Sequence, residues 1–210
     1  MKKIFPYLFL VIFVLQLIGV YLDSPLRLMT KPLIMISLAF YYFVYARSFK
    51  MLFFAAIVAA LMGDIFLMWE DEMSFILGLS SFLLMQVLYT VIFTSQKDTH
   101  DIYDWIGAVL VAVAAAGIMY VLIPDVEGVL KIAVSVYCLC IMAMVVSAVW
   151  RKKPHWSYVP VLCGALLFMI SDAILAINRF SIAIEYGSLI VIGTYMVAQY
   201  LIVMAISNSE

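Results

Sequence analysis

Apolar residues run through this sequence in long blocks, not at the spacing of a surface helix or a half-buried strand. Eight blocks stand out, over residues 4–22, 32–46, 51–69, 74–95, 105–123, 129–150, 158–177 and 184–206. Most approach the ~20 apolar residues that a helix needs to cross a bilayer. The breaks between them are short and carry charge or turn formers: Asp23-Ser24-Pro25, Arg47 to Lys50, Glu70-Asp71-Glu72, Gln96 to Asp104, Pro124-Asp125, Arg151 to Pro154 and Asn178-Arg179. The pattern predicts an all-α polytopic membrane bundle of about eight transmembrane helices, forming one transmembrane domain over residues 1–210. No stretch has the composition of a soluble domain or a long linker.

Composition agrees. Of 210 residues, 68% are hydrophobic and only 12% charged, with a mean hydropathy of +1.17. A soluble domain carries roughly twice that charge. A chain this small cannot hide so much apolar surface in its own core, so lipid is its solvent. Net charge is −1 and the basic residues sit at block ends, which excludes a nucleic-acid-binding surface. The amino-terminal Met1-Lys2-Lys3 followed by an apolar run imitates a signal peptide, but no small-x-small cleavage site closes the run. It is expected to be a retained first span.

Basic residues set the expected orientation. Lys2, Lys3, Arg47, Lys50, Lys97, Arg151, Lys152 and Lys153 fall on the side that holds both termini, against Arg27, Lys31, Lys131 and Arg179 on the other. Both termini are therefore expected in the cytoplasm of a bacterial cell, in its inner membrane. Met62-Gly63-Asp64-Ile65-Phe66-Leu67 also aligns with Ile170-Ser171-Asp172-Ala173-Ile174-Leu175, about half a chain away. A parallel four-plus-four repeat would explain this, and so would chance similarity between two apolar helices.

A charge inside a span costs roughly 2.5–3.5 kcal/mol on insertion scales and so asks for a reason. Asp64 and Asp172 are the two acids clearly inside blocks. Each lies about five residues before the outer end of its block, hence roughly 8 Å below the surface at 1.5 Å per residue. They are read as a functional pair. The alternatives are a structural pair bonded to helix ends or a lysine, and an ion pathway. Thr30-Lys31-Pro32 reads as a helix start, because proline suits the first turn. Lys31 and the free N–H groups there would form an anion site; a lysine reaching for the interface is the plainer alternative. Gly78, Phe82, Gln86 and Tyr89 share a helical face, Ser171 and Asn178 another, and Tyr195 and Gln199 a third. Such polar groups face the bundle interior, as interhelical bonds or as ligands. Cys138, Cys140 and Cys163 are read as packing residues, and His100 and His155 lie outside the apolar blocks. Neither a metal site nor a cofactor motif is expected.

The same residues carry a family resemblance. Thr30-Lys31-Pro32, Gly63-Asp64-Ile65-Phe66-Leu67, Phe75-x-x-Gly78-x-x-x-Phe82 running to Tyr89, Gly164-Ala165-Leu166-Leu167-Phe168 to Ser171-Asp172, Asn178-Arg179-Phe180 and Tyr195-x-x-Ala198-Gln199 occur in order over nearly the whole chain. Together they resemble the YhhN family of multi-span membrane proteins, which includes the animal lysoplasmalogenases. Gln86 stands where the family pattern usually has a histidine. The resemblance implies hydrolysis of the vinyl ether bond of lysoplasmalogen to a fatty aldehyde and a glycerophospho-head group, without metal or organic cofactor. It implies Asp64 and Asp172 as catalytic residues. Lys31, Gln86, Tyr89, Ser171, Asn178, Tyr195 and Gln199 are then candidates for holding the lysophospholipid. The rival expectations are a lipid or small-molecule transporter, with the two aspartates as a proton or cation site, and a structural or sensory bundle.

Overall fold

The computed structural model of the protein describes residues 3–69, 71–96, 101–151 and 155–209. Lys2, Glu70, Lys97, His100, Lys152 and Lys153 lie outside the described residues, as does the side chain of His155.

Among the described residues eight α-helices form: α1 (Phe5–Tyr21), α2 (Leu26–Tyr45), α3 (Met51–Phe66), α4 (Glu72–Thr94), α5 (Ile102–Leu122), α6 (Gly128–Val149), α7 (His155–Phe180) and α8 (Gly187–Ser207). Three of the starts are chemically marked. Asp71 caps α4 by accepting the Ser74 N–H at 2.9 Å, and Asp101 and Asp104 form a reciprocal capping box on α5. Gly128, at φ +59°, turns the chain into α6 in a conformation that side chains resist. Among the described residues six helices are long and apolar enough to span a membrane, and α1 and α3 are shorter apolar helices of 17 and 16 residues.

One expected boundary is wrong in a way that matters. α2 begins at Leu26, so Pro32 lies inside the helix and Thr30-Lys31-Pro32 does not start it. The loop Asp23-Ser24-Pro25 already supplies the turn, with the Ser24 N–H bonded to the Gly19 carbonyl at 3.0 Å. Lys31 therefore has no free helix N-terminus beside it, and the expected anion site of backbone N–H groups is not there.

Packed pairs run α1–α2–α3–α4–α6–α7–α8 and back to α1, a closed ring in which α5 is left outside, leaning on α6 and touching α7. The main core fills the ring, with Tyr41, Tyr42, Phe53, Tyr89, Phe93 and Phe168 among its fully buried side chains. Large apolar residues cover the outer surface, for example Leu10, Val11, Val109, Leu110 and Val113, all more than half exposed. A surface of that kind is at home in hydrocarbon, where helices satisfy their own backbone groups. The molecule is an integral, multi-pass membrane protein.

Glycines set how closely the helices approach. A Cβ on Gly63 would stand 2.7 Å from the Phe82 ring, and one on Gly78 equally close to the Leu67 side chain. α3 and α4 thus dock tightly where Asp64 is carried. Meanwhile α3 stops at Phe66 while α7 continues two turns past Asp172. The unequal lengths leave a hollow above the end of α3.

Candidate active site

That hollow is a chamber of about 550 Å³. Its wall takes Lys31 from α2, Asp64 from α3, Phe75 and Phe82 from α4, Asp172 and Asn178 from α7, and Tyr195 from α8. Residues far apart in sequence thus converge on one space at the bundle end where α3 and α7 finish. The two aspartates are not equally placed, however. Asp64 is two residues from the end of its helix and Asp172 eight from the end of its own. They share a chamber because α7 overreaches α3, not because their blocks end together.

Each carboxylate is held by a tyrosine from another helix. Tyr195 donates its hydroxyl to Asp64 Oδ2 at 2.7 Å, and Tyr137 of α6 donates to Asp172 Oδ2. Asp64 is 2% exposed, and the two aspartates lie within electrostatic range of each other. Lys31 also acts electrostatically on Asp64, without a direct ion pair, while its Nζ donates to the Leu67 carbonyl at 3.1 Å. That carbonyl is at the end of α3, where the backbone carbonyls lack partners.

The chamber floor is aromatic. Phe82 meets Tyr195 edge-on, with ring centroids 5.8 Å apart, and Phe168 lies within 6.1 Å of Phe82 and 6.0 Å of Tyr195. At the rim the Arg179 guanidinium sits 4.1 Å above the Phe75 ring. A second cavity of about 220 Å³ continues from the chamber past Lys31 and Asn178 towards Arg27, which pairs with Asp23 at 2.7 Å.

The remaining expected site residues divide. Ser171 and Asn178 border the chamber but have structural partners: Ser171 Oγ donates to the Val191 carbonyl at 2.9 Å, and Asn178 Oδ1 accepts the Ile184 N–H at 2.8 Å. Gln86, Tyr89 and Gln199 are not in the chamber wall. Tyr89 donates to Gln199 Oε1 at 3.0 Å, deeper in the bundle beneath the aromatic floor. Gln86 is fully buried and reaches towards the Tyr137 hydroxyl without closing a hydrogen bond. Tyr89 and Gln199 thus tie α4 to α8 under the site. Of the cysteines, Cys138 and Cys140 are half-buried, but Cys163 is exposed on the outer surface and does not pack in the core.

Tyr137 is the residue that the sequence pattern did not single out. It sits in an apolar block where the excess of aromatic residues reads as packing. Only its distance in the fold from Asp172, 35 residues away in sequence, gives it a role.

Comparison with known proteins gives a consistent picture. A family model described as the YhhN family matches residues 26–206. Human lysoplasmalogenase TMEM86A is 30% identical over 75% of this chain and 65% of its own length, and the Bos taurus protein of the same name is 29% identical over the same shares. Human lysoplasmalogenase TMEM86B is 27% identical over 86% of this chain and 75% of its own. The chain thus spans about two thirds of the length of the TMEM86A proteins. No solved structure gives a significant match.

Proposed function

The chain belongs to the YhhN family, and from that premise we propose that it is a membrane-embedded hydrolase that cleaves the vinyl ether bond of lysoplasmalogen to a fatty aldehyde and a glycerophospho-head group. One observation carries the reading: two aspartates from separate helices face a single chamber in a membrane bundle, with a lysine beside one of them. The names of the relatives point to the same chemistry.

A vinyl ether is hydrolysed by protonating its double bond, which leaves an oxocarbenium ion. Water adds, and the hemiacetal collapses to aldehyde and alcohol. The reaction calls for one carboxylic acid that gives a proton and one carboxylate beside the developing cation. Paired carboxyl groups serve glycoside hydrolysis in the same way. The face of the Tyr195 and Phe82 rings offers further support to a cation. Lys31, with Arg179 at the rim, is positioned to draw in the phosphate of the head group. Both termini are assigned to the cytoplasm of a bacterial cell, with the chamber opening at the outer face of the inner membrane, from the distribution of basic residues.

A transporter built on the same aspartates would need a route through the bundle. Phe82 and Tyr195 line the chamber and pack with Phe168 as one aromatic cluster, and this favours a closed reaction vessel. The test is chemical. Purified protein in detergent, given lysoplasmalogen, is expected to release fatty aldehyde that can be trapped as a hydrazone. A transporter sealed into liposomes would move lysolipid and release none.

A further inference from the structure

A narrow apolar slot of about 50 Å³ opens beside the chamber, between α4, α5, α6 and α7. Its wall is aliphatic and aromatic, with Ala115, Ile118, Ile141 and Ala176 among its members, and it shares Leu67, Phe75, Phe82, Asp172 and Leu175 with the chamber. Asp172 is the one carboxylate common to both spaces; Asp64 borders the chamber alone. One side of the slot is α5, the helix outside the ring, which touches α7 only sparingly and presents its other faces to lipid. An unbranched chain lying in the slot would therefore continue into the bilayer between α5 and α7.

This arrangement has a direction, and so does the substrate. In lysoplasmalogen the glycerol oxygen is bonded to the first vinyl carbon, and the second vinyl carbon carries the alkyl chain. Protonation must occur at the second carbon, on the chain side, and water must add to the first. On the hydrolase reading above, we propose that the slot takes the alkyl chain and that Asp172, at the junction of slot and chamber, is the proton donor, while Asp64 receives the proton of the attacking water. The Asp172 O–H proton bonds to the second vinyl carbon using the π pair, leaving an oxocarbenium ion at the first. Water attacks that carbon and gives its proton to the Asp64 carboxylate, forming the hemiacetal. Asp172 then recovers a proton from the hemiacetal hydroxyl, Asp64 returns its proton to the glycerol oxygen, and the carbon–oxygen bond breaks. Both side chains end as they began. Lys31 shares the chamber wall and acts electrostatically on Asp64, which suits a group that starts as an anion.

Two measurements on the intact protein test this. A non-hydrolysable alkyl-ether lysolipid with a diazirine early in its chain, bound in nanodiscs, should crosslink to Ile118, Cys138 or Ile141. Labelling confined to α1, α2 or α8 would overturn the slot. In D₂O, with a hydride donor reducing the aldehyde as it forms, the wild-type protein should place deuterium on one face of the second carbon and give one enantiomer of the 2-deuterio alcohol. Asp64→Asn should give the same enantiomer more slowly, and the residual product of Asp172→Asn should be racemic. Racemic product from Asp64→Asn with a single enantiomer from Asp172→Asn would reverse the assignment, and racemic product from the wild type would abolish it. A labelled slot with no aldehyde from any protein would remove the hydrolase reading and its proton donor while leaving the slot as a lipid site.

Discussion

At the scale of single residues, the aspartates were legible because hydrocarbon makes a charge conspicuous: Asp64 and Asp172 are the acids clearly inside apolar blocks. Their tyrosine partners were only half legible. Tyr195 has a polar neighbour one turn away in Gln199, whereas Tyr137 stands among Val, Cys and Leu with nothing to mark it. Helical spacing also did not reveal which way a polar face points. Gln86, Tyr89 and Gln199 have the spacing of ligands, but Tyr89 and Gln199 bond each other across α4 and α8 and Gln86 is buried without a hydrogen-bond partner. Lys31 reaches the chamber from inside α2, not from the first turn that Thr30-Lys31-Pro32 suggests. If it holds a phosphate by charge, Lys31→Met should raise the apparent KM for lysolipid more than it lowers kcat. Lys31→Arg should keep much of the binding, since a point charge does not demand one geometry. Equal KM in Lys31→Met and the wild type would leave the lysine tied to the Leu67 carbonyl alone.

At the scale of elements, the long apolar blocks located all eight helices, while their ends were set by chemistry that hydropathy does not record. Proline inside α2 is the clearest case, and α7, which runs 26 residues with Pro160 inside it, is another. Close approach between elements was likewise hidden, because a glycine in a span has no side chain to betray what lies opposite. Gly164 is one such case: a Cβ there would sit 2.8 Å from the Ala198 carbonyl on α8. Gly164→Ala should therefore push α7 from α8 and lower stability by about 1–3 kcal/mol, the usual cost of overpacking. Gly117→Ala is the matched control, as nothing lies within 4 Å of its Cβ position. Its thermal midpoint should stay level or rise, given alanine's better helix propensity. A second tie is Arg151, fully buried, donating to Gln96 Oε1 at 2.5 Å and to the Ser157 carbonyl and hydroxyl at 3.0 and 2.8 Å. In the sequence it reads only as a cytoplasmic charge. Arg151→Met should cost roughly 2 kcal/mol or more, since buried acceptors would lose a charged donor, and a melting curve in detergent will show it.

At the scale of the whole molecule, the membrane class was written in composition, but the chamber was not, because it arises from the unequal lengths of α3 and α7. The suggested repeat finds no echo in the aspartates' partners. Tyr195 and Tyr137 correspond, 108 positions back, to Val87 and Met29, so the two halves hold their acids differently. The orientation has a direct check. A reporter fused after Glu210 should read as cytoplasmic, and one inserted at Asp71 as external; the opposite pattern would move the chamber to the cytoplasmic face.

The paired carboxylates are the centre of the account, and a double-mutant comparison on aldehyde release tests them most directly. If one gives a proton while the other serves the cation and the water, they act as a unit. Asp64→Asn and Asp172→Asn should each slow hydrolysis by about 10²–10⁴-fold, the scale of general acid–base groups. The double mutant should be little slower than the slower single mutant, with expression and thermal midpoint retained in all three. Near-normal hydrolysis in either folded single mutant, or losses that multiply in the double mutant, would contradict the account.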